Sequence, residues 1–149
     1  MSAETGGTQV QGVFINLPVA DLSASITFFE ALGFAFNPQF TDHSAACLVL
    51  GPSHHAMLLG HTRFKEFIPH ERVDAHCQTE VLVALQLDSR EAVDTLMQKA
   101  LAAGGTLFRP VEDHGWMYGH AFQDLDGHIW EPFFMDMAAM QAAHSGAAT

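Results

Sequence analysis

The chain has 149 residues, 48% of them hydrophobic and 15% charged, and a formal net charge of −11. That length suits one compact domain or two small half-domains sharing a core. So much negative charge repels phosphate backbones and argues against nucleic acid, while no apolar run approaches the ~20 residues that span a bilayer, so no membrane role is expected.

Residues 1–11 have no basic region and no apolar core, and read as a flexible leader rather than a signal peptide. Folded sequence begins in GVFINLPVADL, where Val13–Val19 combines aromatic and β-branched residues as a strand does. A helix is predicted over Leu22–Leu32, with Asp21 or Ser23 as its cap and Leu22, Ile26, Phe29 and Leu32 on one face. Gly33 suits a left-handed stop. Short strands are expected near Phe34–Phe40, Ala45–Leu50 and His55–Leu59, punctuated by Asn37-Pro38 and Gly51-Pro52. Residues 61–78 form a short helix near Arg63–Phe67 and then a linker.

The same order then returns. TEVLVALQL (79–87) is strand-like, and Ser89 caps a helix over Arg90–Ala103 that ends at Gly104-Gly105. Strands follow near Thr106–Arg109, Tyr118–Gln123 and His128–Phe134, and 137–149 forms a tail helix. The expected organisation is therefore two βαβββ modules, 12–60 and 79–136, an internal repeat at about half the chain length. The fold class is α+β: a cupped, barrel-like mixed sheet with helices outside and a small-molecule pocket between the modules. Cys47 and Cys77 are widely separated and form no CxxC pair, which fits a reducing, cytoplasmic setting.

One acid, Glu131, stands between Trp130 and Phe133 in the last strand, where a carboxylate needs a partner. Burial in an apolar cup would raise its pKa and suit it as a general base, or it anchors a polar substrate; the alternative is a structural acid bonded to a backbone amide, Asn16 or Tyr118. His120 is a candidate proton donor opposite it, and Trp116 and Tyr118 share its parity as a pocket wall. The aromatics Phe14, Trp116, Trp130 and Phe133, with the acidic surface, suit a flat cationic guest. Arg109, in the loop before Trp116, reads as a surface arginine able to attract a carboxylate. His128 is expected to be exposed.

LPVADLSASITFFEALGF in the first half and AFQDLDGHIWE in the second resemble the vicinal oxygen chelate superfamily, which includes glyoxalase I, bleomycin-resistance proteins and extradiol dioxygenases. The resemblance covers nearly all of residues 12–136. It implies a cup in which metal-using members hold a divalent ion by one side chain from the first and the last strand of each half, acting as a Lewis acid on the substrate's paired oxygens. Glu131 matches the last-strand acid of the second half. The other positions fall on Phe14, on Leu82 and around Met57–Leu59, none of which supplies a carboxylate or imidazole. No cofactor is therefore expected, and a divalent Ni, Zn, Fe or Mn would need a non-standard set such as Glu131 with His55, His61 or Glu80. Strand alternation puts Asn16 beside Phe14, and Gln86 beside Leu82, as further substrate-binding residues. The expectation is a small-molecule binder whose catalysis is open. The alternative is a metal-dependent lyase or dioxygenase. A homodimer is anticipated, because VFINLPV and VLVALQL are apolar on both faces.

Overall fold

A computed structural model of the chain describes residues 6–148. Residues 1–5 of the expected leader lie outside the described residues, and 6–12 contain no helix or strand. The elements run β1 (Val13–Val19), α1 (Leu22–Ala31), β2 (Ala35–Asn37), β3 (Ala45–Gly51), β4 (His54–Gly60), α2 (His61–Lys65), β5 (Leu82–Leu87), α3 (Arg90–Ala102), β6 (Thr106–Asp113), β7 (Met117–Gln123), β8 (Ile129–Met135) and α4 (Met137–Ala148). Both modules are present, and each is a four-stranded mixed sheet, ordered β1-β4-β3-β2 and β5-β8-β7-β6, in which the first strand lies parallel to the last. The two sheets do not close on each other.

The helices begin where side-chain caps are available. Asp21 Oδ1 accepts from the Ala24 amide at 3.1 Å and Ser89 Oγ from the Ala92 amide at 3.0 Å, each satisfying an amide that the first turn cannot. Gly33, at φ +101°, lets the chain turn out of α1 where a side chain would be strained. Two expectations shift. Residues 34–40 form a three-residue strand followed by a 3-10 turn at Pro38–Phe40, because proline lacks the amide a ladder needs. The strand expected from residue 79 starts at Leu82, leaving 79–81 with the linker.

Side chains of alternate parity divide each sheet. Leu17, Val19, Leu48, Ala56 and Leu58 of the first module join Val83, Phe122 and Trp130 of the second in one buried cluster, together with Phe28, Phe29 and Leu32 of the α1 region and Leu96, Met97 and Ala100 of α3. The helices bridge the modules directly: the Phe29 ring meets Trp130 edge-on at 5.2 Å, and Phe28 lies 6.2 Å from Phe122. Trp130 is fully buried, so it belongs to this core and not, as expected, to a ligand site.

The two modules are also stapled by the turn between β7 and β8. Asp124, itself buried, accepts from the amides of Asp126 and His128 and from Trp130 Nε1 at 2.9 Å. Burial pushes the Asp124 carboxyl up, against the nearby His128 and the hydrogen bonds that hold it down. Asp126 then reaches back to the Ala20 amide at 2.8 Å and to Ser25. His128 Nε2 lies 2.7 Å from the Pro18 carbonyl, 110 residues away. His128 was expected on the surface; its bond to β1 explains its partial burial. The Asp-x-Asp-Gly turn at residues 124–127 thus holds the modules together.

Candidate functional site

The faces turned away from the helices carry the residues singled out by sequence. On the second sheet, Ala84 pairs with Glu131 and Gln86 with Phe133 across the β5–β8 ladder, so Leu82, Ala84 and Gln86 share a face with Glu131 and Phe133. On the first sheet, Phe14 pairs with His55 and Asn16 with Met57. The Phe14 ring stacks on His55 at 4.4 Å, with an interplanar angle of 8°. Phe14 and Leu82 remain about half exposed.

Glu131 is not a lone acid. Arg109 Nη2 donates to Glu131 Oε2 at 2.7 Å. The guanidinium arrives from β6 across β7, whose residue at that level is Ala121, the partner of Arg109 in the β6–β7 ladder. Small side chains at Ala84 and Ala121, on either side of Glu131, leave the arginine room. Glu112 lies 3.8 Å from Arg109 Nε, which is buried and has no hydrogen-bond partner. The expected partners of Glu131, Asn16 and Tyr118, are engaged elsewhere, and Arg109 is not a free surface arginine.

His120 cannot face Glu131. Ala121, Arg109 and Glu131 share one face of the sheet, and His120, one residue away, points to the other. Its Nδ1 lies 2.8 Å from the Arg109 carbonyl. Tyr118 shares that parity and donates its hydroxyl to Asp94 of α3 at 2.7 Å, which raises the phenol's pKa. Arg90 sits 4.9 Å above the Tyr118 ring and binds Asp113 at 2.9 Å. Trp116 meets His144 of α4 edge-on at 5.6 Å. The expected aromatic wall around Glu131 therefore breaks up: the parity of Tyr118 and His120 was legible, but the face was not.

The cation positions implied by the resemblance do not make a shell. The register places Met57 beside Asn16 as the first module's counterpart of Glu131, so the four positions hold Phe14, Met57, Leu82 and Glu131. Phe and Leu offer no donor, a thioether is a poor partner for hard cations, and the one carboxylate is bonded to Arg109. The rescue set is not assembled either. His55 stacks on Phe14, whereas His61 and Glu80 line cavities beside the linker. Among the described residues no group of three or more His, Cys, Asp or Glu side chains is placed to hold a metal ion.

What the fold does assemble is a cleft of about 520 Å³ between the modules. Val13, Ile15, Phe34, Leu50, His54 and His55 line it from the first module, and Val83, Ala84, Leu85, Gln86, Leu87 and Phe133 from the second. The walls are mainly apolar, with the Gln86 amide and two imidazoles as polar points. His55 Nδ1 is buried and has no hydrogen-bond partner. Of the sequence candidates, Gln86 and Phe133 lie in this cleft and Phe14 stacks against its wall; Asn16 lies instead in a cavity beside the linker. His54 was missed as a site residue and His55 was read only as a possible metal ligand, since adjacent histidines at a strand start give no spacing signal.

Comparison with known proteins fits this architecture. The family model described as bleomycin resistance protein-like N-terminal matches residues 11–51. A glyoxalase-related enzyme from Fulvimarina pelagi is 27% identical, with a TM-score of 0.69 over 84% of this chain and 88% of that one. The family-model match and this structural likeness together support membership of the vicinal oxygen chelate superfamily. A hypothetical protein from S. aureus is also 27% identical, with a TM-score of 0.73 over 85% of this chain and 95% of that one. The bleomycin resistance determinant encoded on transposon Tn5, at 18% identity, shares the fold, with a TM-score of 0.60 over 85% of this chain and 99% of that one. No curated protein matches the sequence.

Proposed function

We propose that this superfamily member binds a small molecule in the cleft between its modules and does so without a resident metal. The observation that carries this reading is the cleft itself, at 520 Å³, apolar, and lined equally by both modules. Pockets for drug-sized ligands run from about 300 to 1,000 Å³ and combine apolar walls with a few polar points. The stacked Phe14–His55 pair and Phe133 suit a flat aromatic ring. The net charge of −11 favours a guest bearing a cation.

Metal-dependent lyase or dioxygenase chemistry is the weaker reading, because a cation at Glu131 would have to displace Arg109 from Oε2. Joint action of Glu131 and His120 is dropped, since they occupy opposite faces. A two-fold dimer remains part of the proposal: Leu82, Leu107, Phe108 and Val111 are exposed apolar side chains in need of cover. The free thiols of Cys47 and Cys77 fit a cytoplasmic setting. No helix among the described residues is long and apolar enough to cross a membrane.

The test is a thermal-shift and calorimetric screen of flat aromatic cations, bleomycin included, against the parent chain and the variants Phe133→Ala and His55→Ala. Binding that weakens about tenfold or more in both variants, the loss expected when about 1.4 kcal/mol of contact is removed, supports the cleft. Binding unchanged in both places the ligand elsewhere and defeats the reading.

A further inference from the structure

A second pair of cavities lies beside the linker that follows α2. One, of about 280 Å³, is walled largely by apolar side chains, among them Phe64, Ile68, Val81 and Ile129. The other, of about 260 Å³, is polar and includes His61, His76 and Asp126. They adjoin: Pro18, Arg72, Val73, Ala75 and His128 border both. Neither contains Glu131, Gln86 or Phe133, so this space is distinct from the cleft between the modules.

Arg72 sets the chemistry. Arg63, Lys65, Arg90 and Arg109 each pair with an acid. Arg72 has neither a hydrogen bond nor an ion pair among the described residues, although it borders both chambers. Most acids nearby are already committed. Glu71 meets Lys65, Asp126 accepts from the Ala20 amide and Ser25, and Asp74 accepts from the His76 amide while also feeling the charge of Arg72, with which it forms no direct ion pair. The uncommitted acid is Glu80, exposed on the apolar chamber, and it disfavours a dianion.

We propose that this space is a separate site for an amphipathic monocarboxylate, its apolar body in the chamber under α2 and its carboxylate on Arg72. A planar guanidinium takes a carboxylate by two parallel hydrogen bonds, which a neutral head group cannot reproduce. The chamber is near the lower limit of ligand pockets and holds a body of about eight to ten non-hydrogen atoms.

Octanoate, octanol and octylammonium are titrated into the full chain by calorimetry, with amide chemical shifts recorded alongside. Octanoate is expected to bind at least tenfold tighter than octanol, with shifts at Ile68, Val73 and Val81. Arg72→Gln removes that preference and leaves octanol binding unchanged. Val81→Trp fills the chamber and removes both, whereas Phe133→Ala changes neither. Should Val81→Trp fail to melt cooperatively, Arg72→Gln, an exposed substitution, decides alone. Octanoate binding no tighter than octanol, or an unaltered preference in Arg72→Gln, overturns the site; so does binding lost in Phe133→Ala, which would assign the ligand to the cleft.

Discussion

Arg109 and Glu131, 22 residues apart in sequence, meet at 2.7 Å across the small side chain of Ala121. The Glu131 side chain is 18% exposed and that of Arg109 34%, so the pair lies between a surface bridge and a buried one. Removing one partner leaves a partly desolvated charge, which costs more than removing both. Arg109→Ala is expected to destabilise by about 1–2 kcal/mol, and Arg109→Ala with Glu131→Ala by less than that. Chemical denaturation of both variants, with Glu131→Ala to complete the cycle, checks it; a double-variant loss equal to the sum of the two single losses would mean that the pair contributes nothing.

The Asp124 carboxylate satisfies the Trp130 indole and two backbone amides inside the protein. Asp124→Ala orphans all three and is expected to cost about 2–4 kcal/mol. Asp126→Ala, which frees only the Ala20 amide and Ser25, should cost about 1 kcal/mol. The order of the two melting temperatures tests whether the inner or the outer acid holds the turn.

Gly127 sits at φ +88°, and a Cβ there would come within 2.7 Å of the His76 amide nitrogen and 2.8 Å of the Ala75 carbonyl carbon. Both obstacles are backbone, so Gly127→Ala must push the linker away as well as strain its own residue. A loss of about 2 kcal/mol or more is expected, with faster proteolysis around residues 70–78. A melt matching the parent's would show that the linker does not rest on this turn.

His61 is held below the ordinary imidazole value of 6.5, first by burial and then by the charge of Arg72. The sign follows from which state binds the proton. Above about 6.5 the imidazole is neutral in both states and contributes no pH dependence. As pH falls through that value the unfolded chain takes up the proton first, and stability drops. His61→Gln is expected to flatten the decline in melting temperature between pH 7 and pH 5. An NMR titration placing the His61 midpoint at or above 6.5 would contradict it.

If the cleft works without a resident ion, as proposed, added metal changes nothing. Elemental analysis is expected to give far less than one Ni, Zn, Fe or Mn per chain, and chelation to leave the melt unchanged. If Arg109→Ala frees Glu131 for a cation, that variant alone should respond to Mn or Ni.

The repeat, the caps at Asp21 and Ser89 and the alternation within VFINLPV and LVALQL were legible in the chain, because each depends on a few neighbouring residues. That Leu82 and Gln86 share a face followed from the same period of two, while their company with Phe133 came from the β5–β8 register. The partner of Glu131 did not. Two register irregularities in β6, flanking Arg109, set which residue reaches across Ala121, and such bulges leave no trace in local composition. Nor did sequence reveal that Trp130 would turn to Phe29 or His128 to Pro18, contacts that exist only once the modules share a core. Local sequence fixed what each strand can present; the docking of one module on the other decided what each side chain meets.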